Sequence, residues 1–149
     1  MIGTSNRIEV LHGVNLDMLG KRDPEHYGTL TLIELEVRIR HWAREMGLEA
    51  SFFHTNNEAE YVERLHIAPE LADALLLNPG AWTHYSYAIR DALEIAGVPV
   101  VEVHLSDVSS REPWRRTSVF DGLVVGVVAG KGPDGYREAL EMLKAALER

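Results

Sequence analysis

Apolar and polar positions follow one another along this chain in two rhythms. Ile8 to Leu11 form a short apolar run of strand length. After a polar loop, Leu32, Leu35, Ile39, Trp42, Ala43 and Met46 recur at helical spacing, opened by Thr31 with Glu34 as a capping box and closed by Gly47. Glu49 to His54 reads as a second strand, and Glu58 to Ala68 as a short helix stopped by Pro69. Ala72 to Asn78 reads as a third strand, whose Leu75, Leu76 and Leu77 imply burial on both faces. Tyr85, Ala88, Ile89, Ala92, Leu93 and Ala96 make another apolar helical stripe, ended by Gly97, before a fourth strand from Val98 to His104. Leu123 to Val128 gives a fifth strand, and Tyr136, Ala139, Leu140, Leu143, Ala146 and Leu147 a closing helix. Strands alternating with helices in this way predict an α/β protein: an open, five-stranded parallel sheet with helices on both faces and right-handed crossovers.

At 149 residues the chain has the size of one ordinary domain, so residues 1–149 are expected to share one core. It has no cysteine, no apolar run of membrane-spanning length and no charged-then-apolar leader, which points to a soluble cytoplasmic protein. The formal charge of -8, from 23 acidic and 15 basic residues, argues against nucleic acid or an anionic membrane as partner. A small anion remains compatible where a few arginines converge.

Open parallel sheets bind ligands beyond the carboxyl ends of their strands, where loops and helix N-termini meet. The polar residues there are Gly13 and Asn15 after the first strand, and His54, Thr55 and Asn56 after the second. Asn78, Pro79 and Gly80, leading to His84, follow the third; His104, Leu105 and Ser106 end the fourth; Gly130, Lys131 and Gly132 follow the fifth. One such Asn is more often a turn residue or helix cap, and it is their coincidence that points to a site. Glu102 and His104 are two apart on a strand, so both side chains face one side of the sheet. A carboxylate beside an imidazole orients the ring and favours its protonated form, which suits a general acid; the alternative is a structural ion pair. The opening loop adds Tyr27, with Lys21 and Arg22 just upstream and Gly20, Pro24 and Gly28 as bend points, so residues 20–28 read either as a mobile lid or as an ordinary exposed loop. A phenol titrates near ~10, so a tyrosine base working near neutrality needs about 3 to 4 kcal/mol of help for its phenolate, much of which a close arginine can supply.

Other patterns lead nowhere. Gly130-Lys-Gly-Pro-Asp-Gly135 matches a dinucleotide fingerprint, but no later strand follows to carry the acidic ribose contact, and the loop lacks the hydroxyl that holds magnesium in phosphate-binding loops. The seven histidines have no metal-ligand spacing, and His41 and His66 fall on helices as surface or boundary residues, so neither a metal nor a cofactor is expected. No serine sits in a nucleophile elbow.

Four segments, HGVNLDMLGKRDPEHYG, LLNPGAWTHYSYAIRDA, VEVHLSDVSSREPWRRTS and GKGPDGYREAL, together resemble the type II 3-dehydroquinate dehydratases along nearly the whole chain. The resemblance implies a flavodoxin-like fold and a lyase of the shikimate and quinate pathways that removes water from 3-dehydroquinate. On that reading Tyr27 takes the proton alpha to the ketone with Arg22 assisting, Asn15 holds the enolate through water, and His104, oriented by Glu102, protonates the departing hydroxyl. Asn78, His84, Leu105, Ser106 and Arg115 would hold the substrate's carboxylate and hydroxyls, with Arg111 supporting the loop. Asp91 would reach a neighbouring subunit's site, implying a homo-oligomer, in the family a dodecamer built from trimers. Imine chemistry, the route of the unrelated dehydroquinase class, fits poorly, because Lys21 and Lys131 lie in loops and Lys144 falls on the polar side of the last helix.

The chain departs from the family in places. His12-Gly13-Val14-Asn15 stands where Asn-Gly-Pro-Asn is usual, which loosens the turn and is expected to put a titratable ring beside the enolate site. His54-Thr-Asn-Asn57-Glu-Ala-Glu60 changes four residues of a seven-residue family stretch, and Lys131 replaces an apolar residue. Two alternatives follow: a lyase of the same fold acting on a related cyclic beta-hydroxy ketone acid, or a non-catalytic flavodoxin-like binding module. A receiver-type module needs a carboxylate after the third strand, where this chain has Asn78.

Overall fold

The computed structural model describes residues 5–149. Five strands, β1 (Arg7–His12), β2 (Glu49–His54), β3 (Ala74–Asn78), β4 (Val100–His104) and β5 (Gly126–Ala129), form one sheet in the order β2-β1-β3-β4-β5. All four pairings are parallel. This is the flavodoxin-like order, which reverses between β1 and β3. The helices are α1 (Pro24–Tyr27), α2 (Leu32–Glu45), α3 (Glu58–Leu71), α4 (Tyr87–Ala96) and α5 (Asp134–Leu147).

Strand alternation divides the core in two. Ile8, Val10, Leu76, Val101 and Val103 pack with Leu35, Ile39, Tyr136, Leu140 and Leu143 of α2 and α5. On the other face Leu11, Leu75, Leu77 and Val100 pack with Tyr61, Leu65, Ile89 and Leu93 of α3 and α4. The central strands are therefore buried on both sides, as the three consecutive leucines of β3 predict. At the head of α2 the Thr31 hydroxyl accepts from the Glu34 N–H, and the Glu34 carboxylate accepts from the Thr31 N–H, so the capping box forms as read from the sequence.

Several boundaries differ. α3 continues through Pro69 to Leu71, because a proline near the end of a helix removes one backbone bond while Ala72 N–H still reaches Ala68 O at 2.9 Å. β3 and β4 each start two residues later than the apolar run. α4 starts at Tyr87, behind a Ser86 cap on the Ile89 N–H, and leaves Tyr85 exposed outside the stripe. β5 begins at Gly126, not Leu123, because Leu123 and Val124 pack against the α3/α4 core from the preceding turn. The opening loop contains one helical turn, α1, that the sequence reading leaves as loop.

Candidate active site

The carboxyl ends of β1, β3 and β4 surround a cleft at the point where strand order reverses. Its wall on the β1 side depends on a close approach of two loops. A Cβ on Gly13 would stand 2.3 Å from the Pro79 carbonyl oxygen, so only glycine lets the β1 loop sit against the β3 loop. There Gly13 N–H donates to Asn78 O at 2.8 Å. Asn15 follows with φ 69° and ψ 4°, the one non-glycine residue with positive φ among those described, and its side chain lines the cleft.

α1 is short but well specified. Asp23 caps it by accepting from Glu25 N–H, and Pro24 occupies its first position, where a missing N–H costs nothing. This turn carries Tyr27 back over Arg22, whose guanidinium lies 3.7 Å from the ring centroid and donates through Nη2 to the phenolic oxygen at 2.8 Å. Arg111 donates to the same oxygen through Nη1, also at 2.8 Å, and to Ser106 Oγ at 3.3 Å. Two guanidinium donors aimed at one phenolic oxygen suit an oxygen that carries negative charge.

Across the cleft, His104 Nε2 and Glu102 Oε2 are 2.5 Å apart, leaving Nδ1 as the other ring nitrogen. Glu102 is almost wholly buried, and it also accepts from Thr83 Oγ1 at 2.8 Å and Ser118 Oγ at 2.9 Å. Burial alone would push its carboxyl up; the bonds from His104, Thr83 and Ser118 outweigh this and hold it below the ordinary carboxylate value. A buried carboxylate kept ionised in this way fixes the orientation of the imidazole. The His84 ring is stacked on His104 with centroids 6.2 Å apart, and its Nδ1–H donates to Thr117 O at 2.8 Å. Burial lowers its pKa, a shift the bond to Thr117 only partly offsets.

Tyr27, Arg22, Arg111, Asn15, Asn78, His84, His104, Leu105, Ser106 and Arg115 line this one cleft, which encloses ≈ 600 Å³ of space free of atoms, open solvent at its mouth included. A family model described as dehydroquinase class II matches residues 6–144. The chain belongs to the class II dehydroquinase family. Its relatives include the 3-dehydroquinate dehydratase of Syntrophotalea carbinolica, 52% identical over 90% of this chain and 91% of that protein. The 3-dehydroquinate dehydratase of Pelobacter propionicus is 50% identical over 95% of this chain and 99% of that protein. Among solved structures, the type II dehydroquinase of Propionibacterium acnes superposes with a TM-score of 0.90 at 39% identity, covering 97% of this chain and 99% of that one.

In this dehydroquinase the sequence-derived residues converge with two exceptions. Glu102 lies behind His104 and not at the cleft surface, as an orienting group should. Asp91 is exposed on α4, outside the cleft of its own chain. One expectation is overturned: the His12 ring does not lie beside Asn15. Position 12 faces α2, so the ring is fully buried, stacked on Phe52 at 6.0 Å and 3.0 Å from Glu36 Oε2. Lys131 likewise stands away from the cleft, paired with Glu138 at 2.5 Å. The sequence reading missed the direct contact of Arg111 with Tyr27, the support of Glu102 by Thr83 and Ser118, and the bond from Asn78 Nδ2 to Tyr136 Oη at 2.8 Å. Hydroxyl residues in turns carry no signal that separates a buried acceptor's partner from an ordinary cap. Among the described residues no cluster of three His, Asp or Glu side chains could hold a metal ion, and no helix is long and apolar enough to cross a membrane.

Proposed function

We propose that this class II dehydroquinase dehydrates 3-dehydroquinate to 3-dehydroshikimate through an enolate. The observation that carries the reading is the Tyr27 phenolic oxygen held by Arg22 and Arg111 in the cleft that also receives His104. Tyr27, as phenolate, takes the proton alpha to the ketone, and the C–H electron pair moves into the enolate, whose oxygen Asn15 stabilises through water. The enolate then re-forms the ketone, the C–O bond beta to it breaks, and the hydroxyl leaves as water with a proton from His104 Nδ1. Glu102 holds the ring in place and balances the imidazolium charge before the transfer. Asn78, His84, Leu105, Ser106 and Arg115 bind the substrate's carboxylate and hydroxyls. Residues 20–28 close as a lid once substrate is in place, and Asp91 completes the site of a neighbouring copy in a dodecamer built from trimers.

A related cyclic beta-hydroxy ketone acid is the second reading, favoured by Val14, which lines the cleft where the family usually has proline. Incubating the protein with 3-dehydroquinate and following the conjugated enone absorbance tests both. Rapid turnover is expected, with losses of at least ~100-fold in kcat for Tyr27→Phe and His104→Ala, the scale of positioned proton-transfer groups. Turnover equal in parent and variants overturns the assignment, and turnover only with a related acid selects the second reading.

A further inference from the structure

Asn15 is the group assigned to the enolate oxygen, and among the described residues it is the one non-glycine with a positive φ. Asparagine tolerates the left-handed region better than other non-glycine residues, so the turn permits φ 69° here, and a contact from outside the turn can fix it there. Within the turn only two backbone bonds act, Leu16 N–H to Gly13 O at 3.3 Å and Met18 N–H to Asn15 O at 3.0 Å. Neither engages the Asn15 N–H. That group instead donates to Asn56 Oδ1, at 2.7 Å, across 41 residues of sequence.

Asn56 is itself oriented. Its Nδ2 donates to Asp17 Oδ2 at 3.2 Å, so an N–H donor on one side and a carboxylate on the other allow only one setting of the amide. Asp17 is in turn 3.7 Å from His54 Nε2 through its other oxygen. The loop after β2 thus grips the β1 loop at two points, Asn15 and Asp17, from the side opposite Pro79. Asn56 does not line the cleft and is exposed, so burial gives no reason for its two bonds.

We propose that Asn56, oriented by Asp17, is a positioning residue that holds the Asn15 backbone in its left-handed conformation and so aims the Asn15 amide at the enolate oxygen. This rests on the role given to Asn15 above. A displacement of about an ångström at a group that meets the transition state costs up to about 100-fold in rate, with little effect on substrate affinity.

The test is a cycle measured with 3-dehydroquinate. Asn56→Ala is expected to lower kcat about tenfold or more with KM nearly unchanged, and to change kcat by no more than about threefold when Asn15 is already Gly, which keeps the backbone and removes the amide. Asn56→Asp sets two carboxylates face to face and should lose at least as much. Adding Asp17→Asn restores an acceptor for Asn15 N–H and a donor–acceptor pair to position 17, and should recover most of that loss. Equal losses from Asn56→Ala in both backgrounds, an unchanged kcat, or no recovery in the exchanged pair overturns the proposal. Should Asn56→Ala fail to fold, the exchanged pair decides alone. A parent protein inactive on 3-dehydroquinate instead refutes the functional reading on which the proposal stands.

Discussion

Tyr27 reaches its two arginines by different routes. Arg22 is five residues away, within reach of one helical turn, whereas Arg111 comes from 84 residues further on. Both donate at 2.8 Å, so neither is subordinate on geometry. A hydrogen bond to a charged group contributes about 1.5 to 3 kcal/mol. Removing either arginine should therefore lower kcat by about 10- to 100-fold. Arg111→Ala is expected to be as damaging as Arg22→Ala in steady-state assays; near-normal kcat for Arg111→Ala would limit that residue to supporting the loop. The sequence alone ranks them differently, because proximity along the chain is the only proximity it displays.

At the scale of elements, the ends of strands carry the interest. β1 finishes with His12, whose ring lies under α2 against Phe52 and Glu36, with Nδ1 buried and without a partner among the described residues. Burial pushes the ring below its ordinary value of 6.5 more strongly than Glu36 pulls it up. In the unfolded chain the ring binds its proton near 6.5, so below that pH the unfolded state takes up a proton that the folded one resists. The stability contributed by neutral His12 is full above 6.5 and is lost as pH falls toward the lower folded value. Thermal melts of the parent should show Tm decreasing between pH 7.5 and 5.5 more steeply than in His12→Asn, the residue usual in the family; parallel slopes would contradict this account. The four longer helices were legible in the sequence, α1 was not, and the capping box of α2 was. The starts of β3, β4 and β5 were not, because an apolar residue packs equally well in the turn before a strand as in its first ladder position, whereas β2 starts at Glu49 as read. The structure puts Leu123 and Val124 in such a turn and Val98 just ahead of β4. The strand-end Asn and His residues were identified as a group for a general reason, that parallel sheets gather ligands there.

At the scale of the whole molecule, large apolar side chains remain exposed at Tyr85, Tyr87, Ile95, Val125 and Val127. Asp91 lies on the same helix as Tyr87 and Ile95, exposed and apart from its own cleft. If it serves a neighbour, Asp91→Ala subunits keep an intact Tyr27 but lack the acid they should receive. Refolding Asp91→Ala together with Tyr27→Phe should then restore part of the activity that neither variant has alone, in particles with the mass of a dodecamer. An inactive mixture, or an active monomer, would remove Asp91 from the site.

The period of apolar residues, the caps and the breakers are local properties, each set by interactions within a turn or two of chain, and they determined the α/β alternation, the two-faced burial of β3 and the pairing of Glu102 with His104 on one side of a strand. The order of strands, the second arginine on Tyr27, the grip of Asn56 on Asn15 and the turning of His12 away from the cleft were decided only in the tertiary structure. Each of these depends on which distant segments share a space, and hydrogen bonds spanning 41 or 84 residues leave no trace in the local pattern of the chain.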